Sequence, residues 1–208
     1  MVTPPQLRTL TEALSPIAGP LHDALGKGLE SAQTHMLENG LIAAELQPVM
    51  HHLARGHALH RLREAQSRGD LGGWRVAAPA GNARVLLTSG GLSLRVLRPV
   101  EHSSTPPPGH NYARRAFYIN SQAQLLGVLG SQLIALWSER EDGLGVDIRV
   151  VRPVGTWRAG SSERIDLDFV FPNSREGLES LTFTPSDDDI ILPIPGLDDA
   201  DDDLNSSW

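Results

Sequence analysis

The stretch LRVLRPV, from Leu94 to Val100, returns 54 positions later as IRVVRPV, from Ile148 to Val154. Matched segments at a fixed spacing are the mark of an internal repeat. The match extends outward. Upstream of each copy lie an apolar run and a glycine-containing turn: Val85 to Leu87 with Gly90 and Gly91, and Leu133 to Trp137 with Gly143. Downstream come a polar loop and an arginine-led, β-rich run ending in Asn-Ser: Arg115 to Ser121, and Arg164 to Ser174. Leu92, Leu94 and Val96 alternate with Ser93 and Arg95; Val146, Ile148 and Val150 alternate with Asp147 and Arg149; Ile165, Leu167 and Phe169 alternate with Asp166 and Asp168. A period of two predicts strands with one wet face, as in antiparallel sheets.

Each unit reads as a hairpin, a strand closed by Pro99 or Pro153, a loop and a third strand, because proline cannot donate to a ladder. Ser121 and Gln124 form a capping-box pattern that predicts a short helix to about Gly130, and Ser174 predicts a shorter, frayed turn. Neither unit can bury its apolar face alone. The two are therefore expected to pack about a pseudo-twofold axis as a sandwich or partly closed barrel.

Ahead of the repeat the period is helical. Gln6 to Ala13 forms a short helical pattern stopped near Pro16. Leu21, Leu25, Leu29, Ala32 and Met36 recur at spacings of three and four before Gly40, and a third helix starts near Pro48 and ends before Gly69. Gly26 and Gly28 weaken the second of these, by up to about 1 kcal/mol each relative to alanine. The expected fold is α+β: a helical N-terminal segment over residues 1–70, an internally duplicated antiparallel β domain over 71–194 (units at about 74–130 and 131–194), and a disordered acidic tail over 195–208.

Composition narrows the function classes. With 208 residues and 40% hydrophobic content the chain can bury a core unaided. It has no cysteine, which excludes disulfides and thiolate metal sites. The start has no cationic stretch leading into an apolar core, and no window of about 18 apolar residues occurs, so a cytoplasmic protein without membrane contact is expected. Only Lys27 among 18 basic residues is lysine, a bias suggesting a G+C-rich bacterial source. The net charge of −7 is localised: eight aspartates follow Ser186 with no basic residue, and without them 17 acidic groups face 18 basic ones. Such a charge block reads as a solubilising tail, and Trp208 at its end would also suit a docking peptide that a basic partner attracts at long range.

Chemistry-bearing patterns are thin. His51, His52, His57 and His60 fall together, and His57, His60 and Glu64 share one helix face, a geometry that could offer nitrogen and oxygen ligands to zinc. Ala54, Ala58, Leu62 and Ala65 take the opposite, buried side, which leaves those histidines facing water and no metal expected. Arg55, Arg61, Arg63 and Arg68 make the same helix basic, as nucleic-acid binding requires, although the near-neutral body argues against it. Asp166 and Asp168 share a strand face, but wet-face carboxylates are ordinary. Phe117 and Phe169 read as core, which turns Tyr118 to the other face. There Tyr118, Arg114 and Arg95, with Arg149 as the repeat-related counterpart of Arg95, form a candidate surface for an acidic or planar partner. No nucleophile elbow, phosphate loop or dinucleotide fingerprint occurs. The expected function is that of a non-catalytic, partner-neutralising or regulatory protein, antitoxin-like in kind. It needs no cofactor and its partner is another intracellular protein. A metal-dependent hydrolase using the His/Glu helix face and a nucleic-acid-binding protein are the alternatives.

Overall fold

The computed structural model describes residues 4–78, 83–100, 104–120 and 131–181. Three helices lead: α1 (Pro4–Leu14), then, after a 3-10 turn, α2 (Ala18–Glu38) and α3 (Gln47–Arg68). Strands β1 (Arg75–Val76), β2 (Leu86–Ser89) and β3 (Leu92–Leu97) follow, then α4 (Tyr112–Ile119), β4 (Gln132–Glu139), β5 (Val146–Pro153), β6 (Ile165–Val170) and α5 (Arg175–Glu179).

α2 buries Leu21, Leu25, Leu29, Ala32 and Met36, the stripe that its spacing predicts, and α3 buries Ala54, Ala58, Leu62 and Ala65. The two helices pack closely at Gly28. A Cβ placed there would lie 2.6 Å from the Ala54 carbonyl oxygen and 3.0 Å from the Ala58 nitrogen. Glycine at this point trades helix propensity for backbone approach. Gly69 ends α3 with φ +83°, a left-handed cap, and its amide donates to the Ala65 and Gln66 carbonyls. Trp74 is buried beyond it, and its indole N–H donates to the Ala13 carbonyl at 2.9 Å, tying the start of the sheet to α1.

The sheet has six strands in the order β1-β2-β3-β4-β5-β6. Four of its pairings are antiparallel and β3/β4 is parallel. Its inner face presents Leu87, Leu94, Val96, Leu133, Ala135, Trp137, Ile148 and Val150 to the helices, and helices and sheet share one core. The outer face is only partly covered. Ile134, Leu136 and Val151 pack there with Tyr118 of α4. β4 is thus apolar on both faces, which is why Leu133 to Trp137 reads as an unbroken run.

The protein is α+β, but its sheet is mixed rather than antiparallel as expected, and two further expectations are corrected. The sheet is neither a sandwich nor a barrel: it is a single open layer with helices against its inner face and α4 on its outer one. Arg115 to Ile119, expected as a third strand, belongs to α4, whose N-cap Asn111 accepts a hydrogen bond from the Arg114 amide. A chain leaving β3 must cross over before running parallel to it again as β4, and a helix makes that crossover. Asn120 closes α4 at φ +50°. Its side chain accepts from the Gln132 amide at 2.7 Å and donates to the Gln132 and Pro153 carbonyls at 2.9 and 2.5 Å.

Duplication is not shown, because the two heptapeptides keep different company. β3 lies between antiparallel β2 and parallel β4, whereas β5 lies between antiparallel β4 and antiparallel β6. What they do share is being the second strand of a hairpin. Each turns its arginine outward, Arg95 opposite Leu86 and Arg149 opposite Leu136, and each ends near its proline. Ser174 caps α5 through the Gly177 amide, a short turn as expected. The helix expected over Ser121 to Gly130 and the acidic tail lie outside the described residues.

Candidate functional site

Strand alternation sends Arg95 to the outer face of β3, between inward Leu94 and Val96. It lines one cavity with Arg114 from the first turn of α4, Arg84 from the segment before β2, and Arg55 from α3. This cavity has a volume of about 530 Å³. Leu86, Leu97 and Phe117 supply apolar wall, and Asn111 and Ala113 place the start of α4 at its edge. Arg84 and Arg114 are exposed at the rim, while Arg55 and Arg95 are partly buried.

The electrostatics of this group are unbalanced. The Nε atoms of Arg55 and Arg95 are buried and meet no hydrogen-bond partner. Arg55 spends one donor on its own helix, from Nη2 to His52 Nδ1 at 3.2 Å. Burial pulls the Arg95 guanidinium below its ordinary pKa, and the charges of Arg114, Arg84 and Arg55 pull it further. Burial likewise lowers Arg55. Guanidinium stays protonated in proteins, so these shifts describe repulsion and lost hydration rather than neutralisation. No carboxylate stands among the described residues lining the cavity. Glu163, whose charge acts on Tyr118 and Arg149, is held by Thr105, which donates its amide at 2.7 Å and its hydroxyl at 2.6 Å.

Of the candidate residues, Arg95, Arg114 and Arg55 converge here. Tyr118 lies nearby but offers no surface. It is fully buried, its hydroxyl donates to the Pro106 carbonyl at 2.7 Å, and its ring packs 5.2 Å from that of Trp157. Burial pushes its pKa up to about 12 against the pull of Arg95 and Arg114. The expectation that Tyr118 faces outward is corrected: on a helix Tyr118 packs against the outer face of the sheet, while Phe117, partly buried against the same cluster, also lines the cavity. Arg149 is bound to Asp168 by two hydrogen bonds of 2.5 Å, which raise its pKa. Arg152 holds Asp166 in the same forked way at 2.7 and 2.5 Å. The two aspartates are thereby consumed as structure. Trp208 lies outside the described residues.

The basic helix divides. Arg55 turns to the cavity, Arg68 pairs with Asp70 at 2.8 Å, and Arg61 and Arg63 stand apart from both. His60 and Glu64 approach to 3.3 Å on an exposed face, and no group of three or more His, Asp or Glu able to hold a metal ion occurs among the described residues. No helix among them is long and apolar enough to cross a membrane. Sequence reasoning missed Arg84, which lies in an irregular segment where no periodicity assigns a face, and it placed Arg55 with the wrong neighbours.

No family model matches the chain, and neither does any curated protein or solved structure.

Proposed function

We propose that this chain is a non-catalytic binding protein, regulatory in its action, that recognises an anionic group of its partner in the arginine-lined cavity. One observation carries the reading: four arginines line one cavity without a carboxylate among its described lining, and two of them, Arg55 and Arg95, are partly buried. Crowding these partly buried like charges costs stability, and an arriving anion offsets that cost. The described lining supplies charge, one amide and apolar wall, without an imidazole, carboxylate or hydroxyl to move a proton, which favours binding over catalysis.

The test is thermal unfolding in sulfate against chloride at constant ionic strength, for the wild type and Arg95→Met. Sulfate also stabilises proteins generally by exclusion from their surface, so the difference between the two chains isolates the site. Arg95→Met should unfold at a higher temperature than wild type in chloride and gain less from sulfate. Arg63→Gln, on the solvated part of α3, should behave as wild type. Equal sulfate gains in all three chains would refute the proposal.

A further inference from the structure

Resting on the anion-binding reading, we infer that the ligand of this cavity is a phosphate monoester of a small organic molecule, its phosphoryl group among the arginines and its organic part against Leu86, Leu97 and Phe117. Charge is the first reason. A carboxylate brings one negative charge and two acceptor oxygens, whereas a phosphomonoester brings about −1.5 to −2 and three. Arg55, Arg95, Arg114 and Arg84 together offer more charge than one carboxylate can balance, and the planar guanidinium fork matches phosphate oxygens in pairs. Position is the second. The cavity lies where β3 ends, at Val96 and Leu97, and where α4 begins, at Asn111 and Ala113. The partial positive charge of the helix start adds to that of the arginines.

Size and wall chemistry set the rest of the molecule. A space of about 530 Å³ exceeds what inorganic phosphate fills and falls within the span of small-molecule sites, roughly 300–1,000 Å³. Its described non-arginine side-chain wall is Leu86, Leu97, Ala113 and Phe117, with Asn111 as the remaining polar side chain, and that side chain is committed to capping α4. Such a wall suits a planar or apolar substituent and gives little to a sugar's hydroxyl groups. The absence of carboxylates from the described lining points the same way.

Titration calorimetry of the full chain with three probes tests this: phenyl phosphate, inorganic phosphate and isophthalate, the last an aromatic ligand with two carboxylates. Phenyl phosphate should bind about tenfold or more tightly than either other probe, the factor that one extra charge-assisted hydrogen bond or one buried ring supplies. Arg95→Gln should lose that binding. Arg114→Gln, at the exposed rim where folding is not at stake, should weaken it about tenfold. Phe117→Ala should bring phenyl phosphate down to the level of inorganic phosphate. Isophthalate binding as tightly as phenyl phosphate overturns the phosphoryl assignment while leaving the anion reading intact; no binding by any of the probes overturns both. A phosphoserine peptide that binds about tenfold tighter than phenyl phosphate would show the ligand to be a protein segment and overturn the small-molecule assignment.

Discussion

Replacing Gly28 by alanine should destabilise this protein even though alanine is the better helix former. In an open helix the exchange would stabilise by about 1 kcal/mol. At Gly28 the new methyl group would stand 2.6 Å from the Ala54 carbonyl oxygen and 3.0 Å from the Ala58 nitrogen. Both are backbone atoms of α3, so no side-chain rotation relieves the clash and the helices must separate. Overpacking of this kind costs about 1–3 kcal/mol. With rigid backbone on the far side we take the upper end, which leaves a net loss of about 2 kcal/mol after the propensity gain. Gly26 is the control on the same helix: its Cβ would meet the Gly145 Cα at 3.8 Å, an ordinary contact. Gly26→Ala should therefore stabilise by about 0.5–1 kcal/mol. At this chain length about 2–4 °C accompany each kcal/mol, so Gly28→Ala should lower the unfolding midpoint by about 4–8 °C and Gly26→Ala should raise it slightly. Thermal unfolding followed by far-UV circular dichroism and by tryptophan fluorescence measures both shifts, and coincident curves establish that a single transition is being read. If Gly28→Ala is as stable as wild type, α2 and α3 do not approach as closely as described, and the reasoning fails.

Asn120→Ala should cost about 2–4 kcal/mol, since it removes three side-chain hydrogen bonds and leaves alanine at φ +50°. Chemical denaturation with a loss under about 0.5 kcal/mol would deny Asn120 its part in joining α4 to β4 and β5. Acidification should destabilise the fold through His22 and His51, both lowered below the ordinary 6.5 chiefly by burial. A depressed folded pKa means that the unfolded chain takes up the proton first. The stability these histidines contribute is complete above 6.5 and declines as the pH falls from there toward their folded values. Urea titrations across that window should show a shallower decline for His22→Gln, which removes the titrating ring whose Nε2 lies 2.8 Å from the Phe171 carbonyl; an unchanged slope would exclude His22 as a source.

Local periodicity was enough to read the helices and the hairpins. The spacings of Leu21 to Met36 on α2 and of Ala54 to Ala65 on α3 name the buried faces, because on a helix burial follows from angular position alone. Alternation likewise put Arg95 and Arg149 on one side of their strands, the outer face of the sheet. Equivalent sequence did not ensure equivalent surroundings. Arg149 faces Asp168 on the neighbouring strand and is neutralised, while Arg95 faces Arg114, Arg84 and Arg55. That difference arises because β3 is followed by a crossover helix and β5 by a hairpin, a choice that the short run from Tyr112 to Ile119 does not reveal. Eight residues with apolar groups at several spacings satisfy either period, and it is the crossover demanded by the parallel pairing of β3 with β4 that accommodates a helix there. The strands, their wet faces and the arginines they carry were thus determined locally by the order of residues. The meeting of four arginines around one cavity belongs to the tertiary structure alone, since it depends on contacts between segments up to 59 positions apart whose charges repel and which nothing but the packed core holds together.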